Sequence, residues 1–377
     1  MAIEYVEIRS AATREMIGIV DTANSIIWHR VYYGVGDFEI YAPCTQENIG
    51  ILVEGNYVTR YDNPELGIIE SVQVTYSPED GRMIVAAGRF AKSILDRRII
   101  YKMNGHSVSP TILRGTVEDA ARSLVSQNAI SCDFDSGRNI PQLVLGTHSG
   151  STQKIVDDTG YAAQKQVTHD NLMSYSDSLL EEYCMSAYCA LNDSLLLAYT
   201  VFAGVDRSVD NTSGNEPVIF SQDFDNLLSS EYIYDVTALK NTALIGGAGE
   251  GEARFHSIVK SASVTGLDRR EIFVNASSHS KTYKDDSGTE QTLTDAEYDV
   301  QLKTLGRQNV AKQSIVETFD GDIDLTNGSF VYGRDFSLGD IVTVQDVEIG
   351  LYINPRILEI TEVQDEDGYQ VSAKYGK

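Results

Sequence analysis

Short alternating strands, cut by turn residues at regular spacing, fill the first hundred positions and return in the last fifty. After IEYVEIRS comes MIGIVDTANSIIWHRVYYGVGDFEIYAP, where Gly34-Val35-Gly36-Asp37 predicts a hairpin between two aromatic-rich strands. The next strands are punctuated by Asp62-Asn63-Pro64 and by Ser77-Pro78-Glu79-Asp80-Gly81. At the other end, the acidic run Gln364-Asp365-Glu366-Asp367-Gly368 separates two further alternating segments. Segments of this length and spacing predict small antiparallel β-barrels or sandwiches at both ends.

Between the ends the period changes. Thr116 caps a predicted helix over 117–129, with Val117, Ala120, Ala121, Leu124 and Val125 on one face. A second helix is expected over about 170–190, from the spacing of Leu172, Tyr175, Leu179, Tyr183, Ala187 and Ala190. Residues 131–167, rich in Gly, Ser and Asp, read as an irregular excursion. The capping box Thr294-Asp295-Ala296-Glu297 opens a third helix toward Lys312, with Gly306 inside it.

One internal repeat links two of these regions. SILDRRII (93–100) and TGLDRREI (265–272) share Leu-Asp-Arg-Arg, and holding that register lays Arg82 on Arg254. Each arginine follows an acidic, glycine-containing turn. A duplicated β-domain is the favoured explanation and coincidence the alternative. The Asp-Arg-Arg charges are expected at a rim or subunit contact, because burying unpaired charge is costly.

The glycines Gly246-Gly247-Ala248-Gly249-Glu250-Gly251 invite a nucleotide-binding reading. A phosphate cradle needs a strand before it and a helix after it, so that free amides point at the anion. Here Ala243-Leu244-Ile245 suits a strand, but the segment 253–260 also alternates like one. No Lys-Ser/Thr pair follows, and Glu250 and Glu252 place negative charge where phosphate would sit. A hairpin turn is expected, with no cofactor.

No catalytic or metal-binding pattern stands out. Asp320-Gly321-Asp322-Ile323-Asp324 opens like a calcium loop, but Leu325 and Val331 occupy the positions that need glycine and glutamate. Histidines 29, 106, 148, 169, 256 and 279 are dispersed, without paired-ligand spacing. No Gly-x-Ser-x-Gly elbow appears. Trp28 and the tyrosines read as strand-face packing rather than a sugar platform. Cys184 and Cys189 lie five apart on the expected second helix, on different faces, and reduced thiols are expected.

Charge narrows the partners. Among 377 residues, 55 acidic side chains against 30 basic ones give a formal net charge of −25. Such a chain repels nucleic acid and anionic membrane, so neither specific nucleic-acid binding nor membrane insertion is expected. The charge serves solubility or, more specifically, a surface that DNA passes without being held. The start, MAIEYVEIRS, has no signal-peptide pattern, and SLLLAYTVFAGV (194–205) is short enough to be a buried strand.

The ordered set of segments resembles the baseplate or tail hub proteins of long-tailed phages and related contractile injection systems, and within them a siphovirus tail-protein family. It comprises SIIWHRVYYGVGDFEIYAP, GRFAKSILDRRII, GTVEDAARSLV, YTVFAGVDRS, VIFSQDFDNLLSSEYIYDVTALKNTALIGGAGEGEAR, LGRQNVA and YGRDFSLGDIVTV, and spans nearly the whole chain. The resemblance implies an α+β, mainly β fold with two related antiparallel β-barrel domains and an intervening α/β domain. The first barrel is drawn at 1–101, the intervening domain at 102–231 with 276–318, and the second, split barrel at 232–275 with 319–377. The resemblance further implies a homotrimeric ring in the virion tail tip, made in the host cytoplasm. That ring would join the tail tube or distal tail protein and the tape-measure protein to a spike or tail fibre, and let DNA or effector through. Many such proteins carry a receptor-binding or wall-cleaving extension beyond the last strands. None is expected here, so a structural, non-enzymatic role is favoured. A carbohydrate-binding tail adhesin and a cell-wall hydrolase are the alternatives.

Overall fold

The computed structural model describes residues 3–79, 81–156, 164–260, 263–284, 290–323 and 330–376. The fold is α+β and mainly β, with several antiparallel sheets. The opening strands are β1 (Val6–Arg9), β2 (Met16–Val20), β3 (Ser25–Val31) and β4 (Asp37–Pro43). After the short helix α1 (Gln46–Ile51) come β5 (Tyr57–Arg60), β6 (Asn63–Ile68), β7 (Ser71–Ser77) and β8 (Gly81–Arg89). The predicted turns fall where their chemistry places them: β3 pairs with β4, β5 with β6 and β7 with β8, all antiparallel.

The middle region holds α2 (Val117–Val125), β9 (Leu143–Leu145), α3 (Leu172–Glu181), β10 (Met185–Leu191) and β11 (Leu197–Ala203). Thr116 accepts the Asp119 amide as the N-cap, and all five residues of the predicted apolar face are buried. The expected helix over 170–190 is corrected. It stops at Glu181, because Cys184 takes a left-handed φ of 56° that no helix continues through. The chain then leaves as β10, antiparallel to β11. Ala187 and Cys189 are buried on this strand, so Cys189 is a strand residue and its thiol is pushed up to about 12 by burial. All four cysteines are free. The excursion over 131–167 carries regular structure that its composition did not announce, since β9 lies parallel to β11.

Further along lie β12 (Leu227–Asp235), β13 (Thr242–Gly246), β14 (His256–Lys260), β15 (Glu271–Asn275) and α4 (Asp295–Ala311). The Thr294–Glu297 capping box forms in both directions. Closing the chain are β16 (Val316–Ile323), β17 (Arg356–Asp365) and β18 (Gly368–Gly376). Asp320 to Ile323 belong to β16, whereas Asp324 and Leu325 of the calcium-like run lie outside the described residues.

Two compact units divide the chain. The first comprises Met1–Val156, Ala162–Glu231 and Phe319–Lys377, and the second consists mainly of Tyr232–Thr318. The first unit's large sheet runs in the order β12-β16-β18-β17-β3-β4-β8-β7. Its β3–β17 pairing joins the region drawn as the first barrel to the region drawn as the second. A second sheet, β2-β1-β5-β6, shares a core with it, formed by Val6, Ile8, Val58, Trp28, Phe38, Ile40, Ile84 and Ala86. Tight approach is built in at Gly88, where a Cβ would stand 1.8 Å from the Ile68 carbonyl oxygen. In the second unit the sheet β14-β13-β15 packs Ala243, Ile245 and Val274 against Tyr298 and Leu302 of α4.

The two Leu-Asp-Arg-Arg segments adopt the same local form, each within or ending a 3-10 turn (Ala91–Arg97 and Gly266–Asp268). The preceding hairpins share a pairing register. The shift that lays Leu95 on Leu267 also lays the pair Ser71↔Ala87 on Ala243↔Val259, and both pairs are present. Outside the hairpins the neighbours differ. β8 is flanked by β4 and β7, whereas β14 stands at the edge of its sheet. Arg82 lies in β8, Arg254 just ahead of β14, and Leu95 is buried while Leu267 is fully exposed.

Candidate functional site

The glycine run is a packed corner between antiparallel strands β13 and β14. Gly249 and Gly251 take φ of +100° and +56°, the left-handed region that favours glycine. Two amides at the start of the run are already engaged. Gly247 donates to the Phe255 carbonyl at 2.8 Å and Ala248 to the Tyr298 hydroxyl at 2.8 Å. Arg254 reaches back to the carbonyls of Gly246 and Gly247 at 2.8 and 3.1 Å. Only a three-residue 3-10 turn, Gly251–Ala253, follows the run, too short to supply the dipole of a phosphate site.

Two histidines gather carboxylates that the sequence did not single out. His29 on β3 lies 3.4 Å from Asp37 through Nδ1 and 3.2 Å from Glu359 through Nε2. His148 stands 3.2 Å from Glu118 through Nδ1 and 3.0 Å from Asp119 through Nε2. In each case the acids grip opposite ring nitrogens, so they do not converge on a single point as metal ligands must. Among the described residues no cluster of three or more such side chains could hold a metal ion. Glu118 is fully buried and accepts the amide and hydroxyl of Ser149, with the amide contact at 2.7 Å. The hydroxyl thus points at the carboxylate, and the His148 Nδ1 accepts the Gly150 amide at 2.9 Å. This arrangement fastens a loop to α2 and leaves no serine–histidine proton relay. An acid one residue into a helix is ordinarily solvated, so nothing in the sequence marks Glu118.

The large sheet carries a polar trough of about 470 Å³, lined by Ser229, Glu231, Thr361, Ser372, Glu359 and Lys374. Lys374 donates to Glu359 at 3.1 Å. Burial raises the Glu359 carboxyl, but Lys374 and His29 outweigh it and hold the group below its ordinary value. No aromatic side chain lines the trough, so it lacks the stacking platform on which sugars are bound.

At the rim of the same sheet, Arg89 forks onto Glu70 at 2.8 and 2.9 Å. Its hydrogen bonds lower the Glu70 carboxyl below the usual 4.5. A depressed carboxylate adds stability that is fully present above pH 4.5 and fades as the pH falls through the lower folded value. Acid titration of unfolding should therefore show stability falling below pH 4.5. Arg89→Gln should flatten part of that slope while changing little at pH 7, since the pair is part-exposed. An unaltered slope would contradict this assignment.

A family model for Siphovirus ReqiPepy6 Gp37-like proteins matches residues 5–377. The chain belongs to that family. No curated protein sequence matches it. The Gp37-like fold is also found in solved tail proteins. A tail protein from Neisseria meningitidis MC58 superposes with a TM-score of 0.56 at 14% identity, over 99% of this chain and 96% of the other. The 43 kDa tail protein of prophage MuSo2 from Shewanella oneidensis gives 0.57 at 11% identity, over 99% and 98%. At such identities the likeness is one of fold. In their geometry the sites above are a packed turn, a loop fastening and a polar sheet face.

Proposed function

We propose that the chain is a structural hub of the tail tip, a homotrimeric ring that joins the tail tube to a spike or fibre. The observation that carries this reading is the siphovirus family match over nearly the entire chain. The tail-protein fold is consistent with it, and the described residues present no reaction geometry that would argue for a wall hydrolase. On this reading the ring meets the tube or distal tail protein and the tape-measure protein on one side and the spike or fibre on the other. It resides in the virion tail.

Charge suits the passage. Three chains of −25 give −75 per ring. At physiological salt the Debye length is about 8 Å, so wall charges close to the passing polymer act on it and distant ones do not. A basic wall would hold DNA through counterion release, whereas an acidic wall lets it slide. A reconstruction of the assembled tail tip should show three copies around an acidic lumen. A single peripheral copy, or a basic lumen, would defeat the proposal.

A further inference from the structure

Ahead of α2 the chain makes a hairpin that forms a sheet of its own. Among the described residues its strands, Lys102–Asn104 and Ser107–Ser109, pair only with each other, in the register Asn104↔Ser107, Met103↔Val108 and Lys102↔Ser109. Every residue from Lys102 to Ser109 is exposed. A hairpin with neither a third strand nor a covering layer is marginal in water, so its local opening costs little.

The bend begins at Asn104-Gly105, one of two Asn-Gly steps in the sequence; the other, Asn327-Gly328, lies outside the described residues. Gly105 turns at a φ of +61°, and nothing stands within 4 Å of the place a Cβ would occupy. Among the described residues no hydrogen bond engages the Gly105 amide or the Asn104 side chain. Asparagines elsewhere are held. Asn56 accepts the Ala11 amide and donates to the Ile51 carbonyl, both at 2.9 Å, and Asn128 donates to the Leu124 carbonyl at 2.9 Å. At Asn104 a thermolabile side-chain amide thus lies beside an unshielded main-chain nitrogen.

We propose that Asn104 is a site of spontaneous modification, at which the Gly105 nitrogen drives conversion of the side-chain amide to a mixture of aspartate and isoaspartate. The Gly105 amide gives its proton to solvent base, and the nitrogen's electron pair attacks Asn104 Cγ. The Cγ–Nδ2 bond breaks, the leaving nitrogen takes a proton from water and departs as ammonia, and a five-membered succinimide remains. Water then opens this ring. Attack at Cγ breaks the bond to the Gly105 nitrogen and gives aspartate. Attack at the main-chain carbonyl carbon breaks its bond to the same nitrogen and gives isoaspartate, whose main chain runs through Cβ and Cγ. One water is consumed and one ammonia released, and nothing is oxidised or reduced. Each event takes the formal net charge from −25 to −26. Isoaspartate also lengthens the main chain by one atom, which the Met103↔Val108 register cannot absorb beside so tight a turn. The hairpin's pairing therefore ages, whatever role the whole chain serves.

The test incubates the full chain, folded, at mildly alkaline pH in heavy-oxygen water, beside a sample unfolded in guanidinium. Trypsin then releases residues 103–114 as one peptide, which is weighed by mass spectrometry. In the folded sample this peptide should exchange its amide nitrogen for a heavy oxygen, at a rate within about tenfold of the unfolded one, because opening the hairpin costs little. Protein isoaspartyl methyltransferase should label part of the product. The peptide carrying Asn56 should keep its amide in the folded chain. Asn104→Gln, whose longer side chain would have to close a six-membered ring, should lose the conversion. A folded chain that keeps the Asn104 amide while the unfolded chain loses it overturns the proposal. So does a product free of isoaspartate, or an undiminished rate in Asn104→Gln.

Discussion

Replacing Trp28 by alanine is expected to destabilise the first unit by about 3–5 kcal/mol, measured as a lowered denaturant midpoint. The indole is fully buried, 4.8 Å from the Phe90 ring and 5.8 Å from that of Phe38. Loss of these contacts removes transfer free energy and leaves a cavity between two sheets whose hydrogen bonds oppose collapse. The Arg60 guanidinium also lies 5.4 Å over the indole and would lose that partner. Trp28→Phe should recover part of the loss, because it keeps an aromatic body against Phe90. A loss under about 1 kcal/mol would show that the site refills by relaxation.

Glu362→Ala should cost a similar amount, about 3–5 kcal/mol, for a different reason. Arg60 and Glu362 are each 2% exposed through their side chains and meet at 2.9 Å. Asp62 takes the same guanidinium at 2.7 Å, and the Tyr369 hydroxyl donates to Glu362 at 2.6 Å. Burial works against the arginine's charge, but hydrogen bonds to Asp62 and Glu362 outweigh it and hold its pKa above the ordinary value. Removing Glu362 leaves a desolvated cation with one neutralising partner. The double variant Arg60→Met, Glu362→Leu should regain most of the loss, since neither charge is then stranded. If the single and double variants prove equally unstable, packing rather than charge is responsible.

Local chemistry was legible and distant pairing was not. The turns at 34–37 and 364–368 announced themselves because glycine and acidic residues serve a tight bend whatever surrounds it. The Thr294 box was readable for the same reason. The end of α3 was hidden. Tyr183, Ala187 and Ala190 satisfy a helical spacing, and the left-handed bend at Cys184 is carried by a residue with no preference for it. The Arg60–Glu362 pair was unreadable in principle, for with 55 acids no single glutamate declares that it will be buried. The Glu118 fastening was concealed in the same way. The shared hairpin register was partly visible, since Leu-Asp-Arg-Arg fixed the alignment that the strand pairs then followed.

The pairing of β3 with β17 has a consequence for how the protein is made. His29 and Glu359, in contact across these strands, are separated by 330 positions. At about 5–20 residues per second, a ribosome needs about 20–70 s to produce the later strand after the earlier one emerges. Loop closure over that separation is also slow. Throughout this interval the edge of β3 lacks its native neighbour and remains open to wrong partners, including the same strand on a nearby nascent chain. Folding yield should therefore depend on translation speed and on holdase chaperones more than on final stability. Premature termination anywhere before β17 should give aggregates rather than a smaller folded protein.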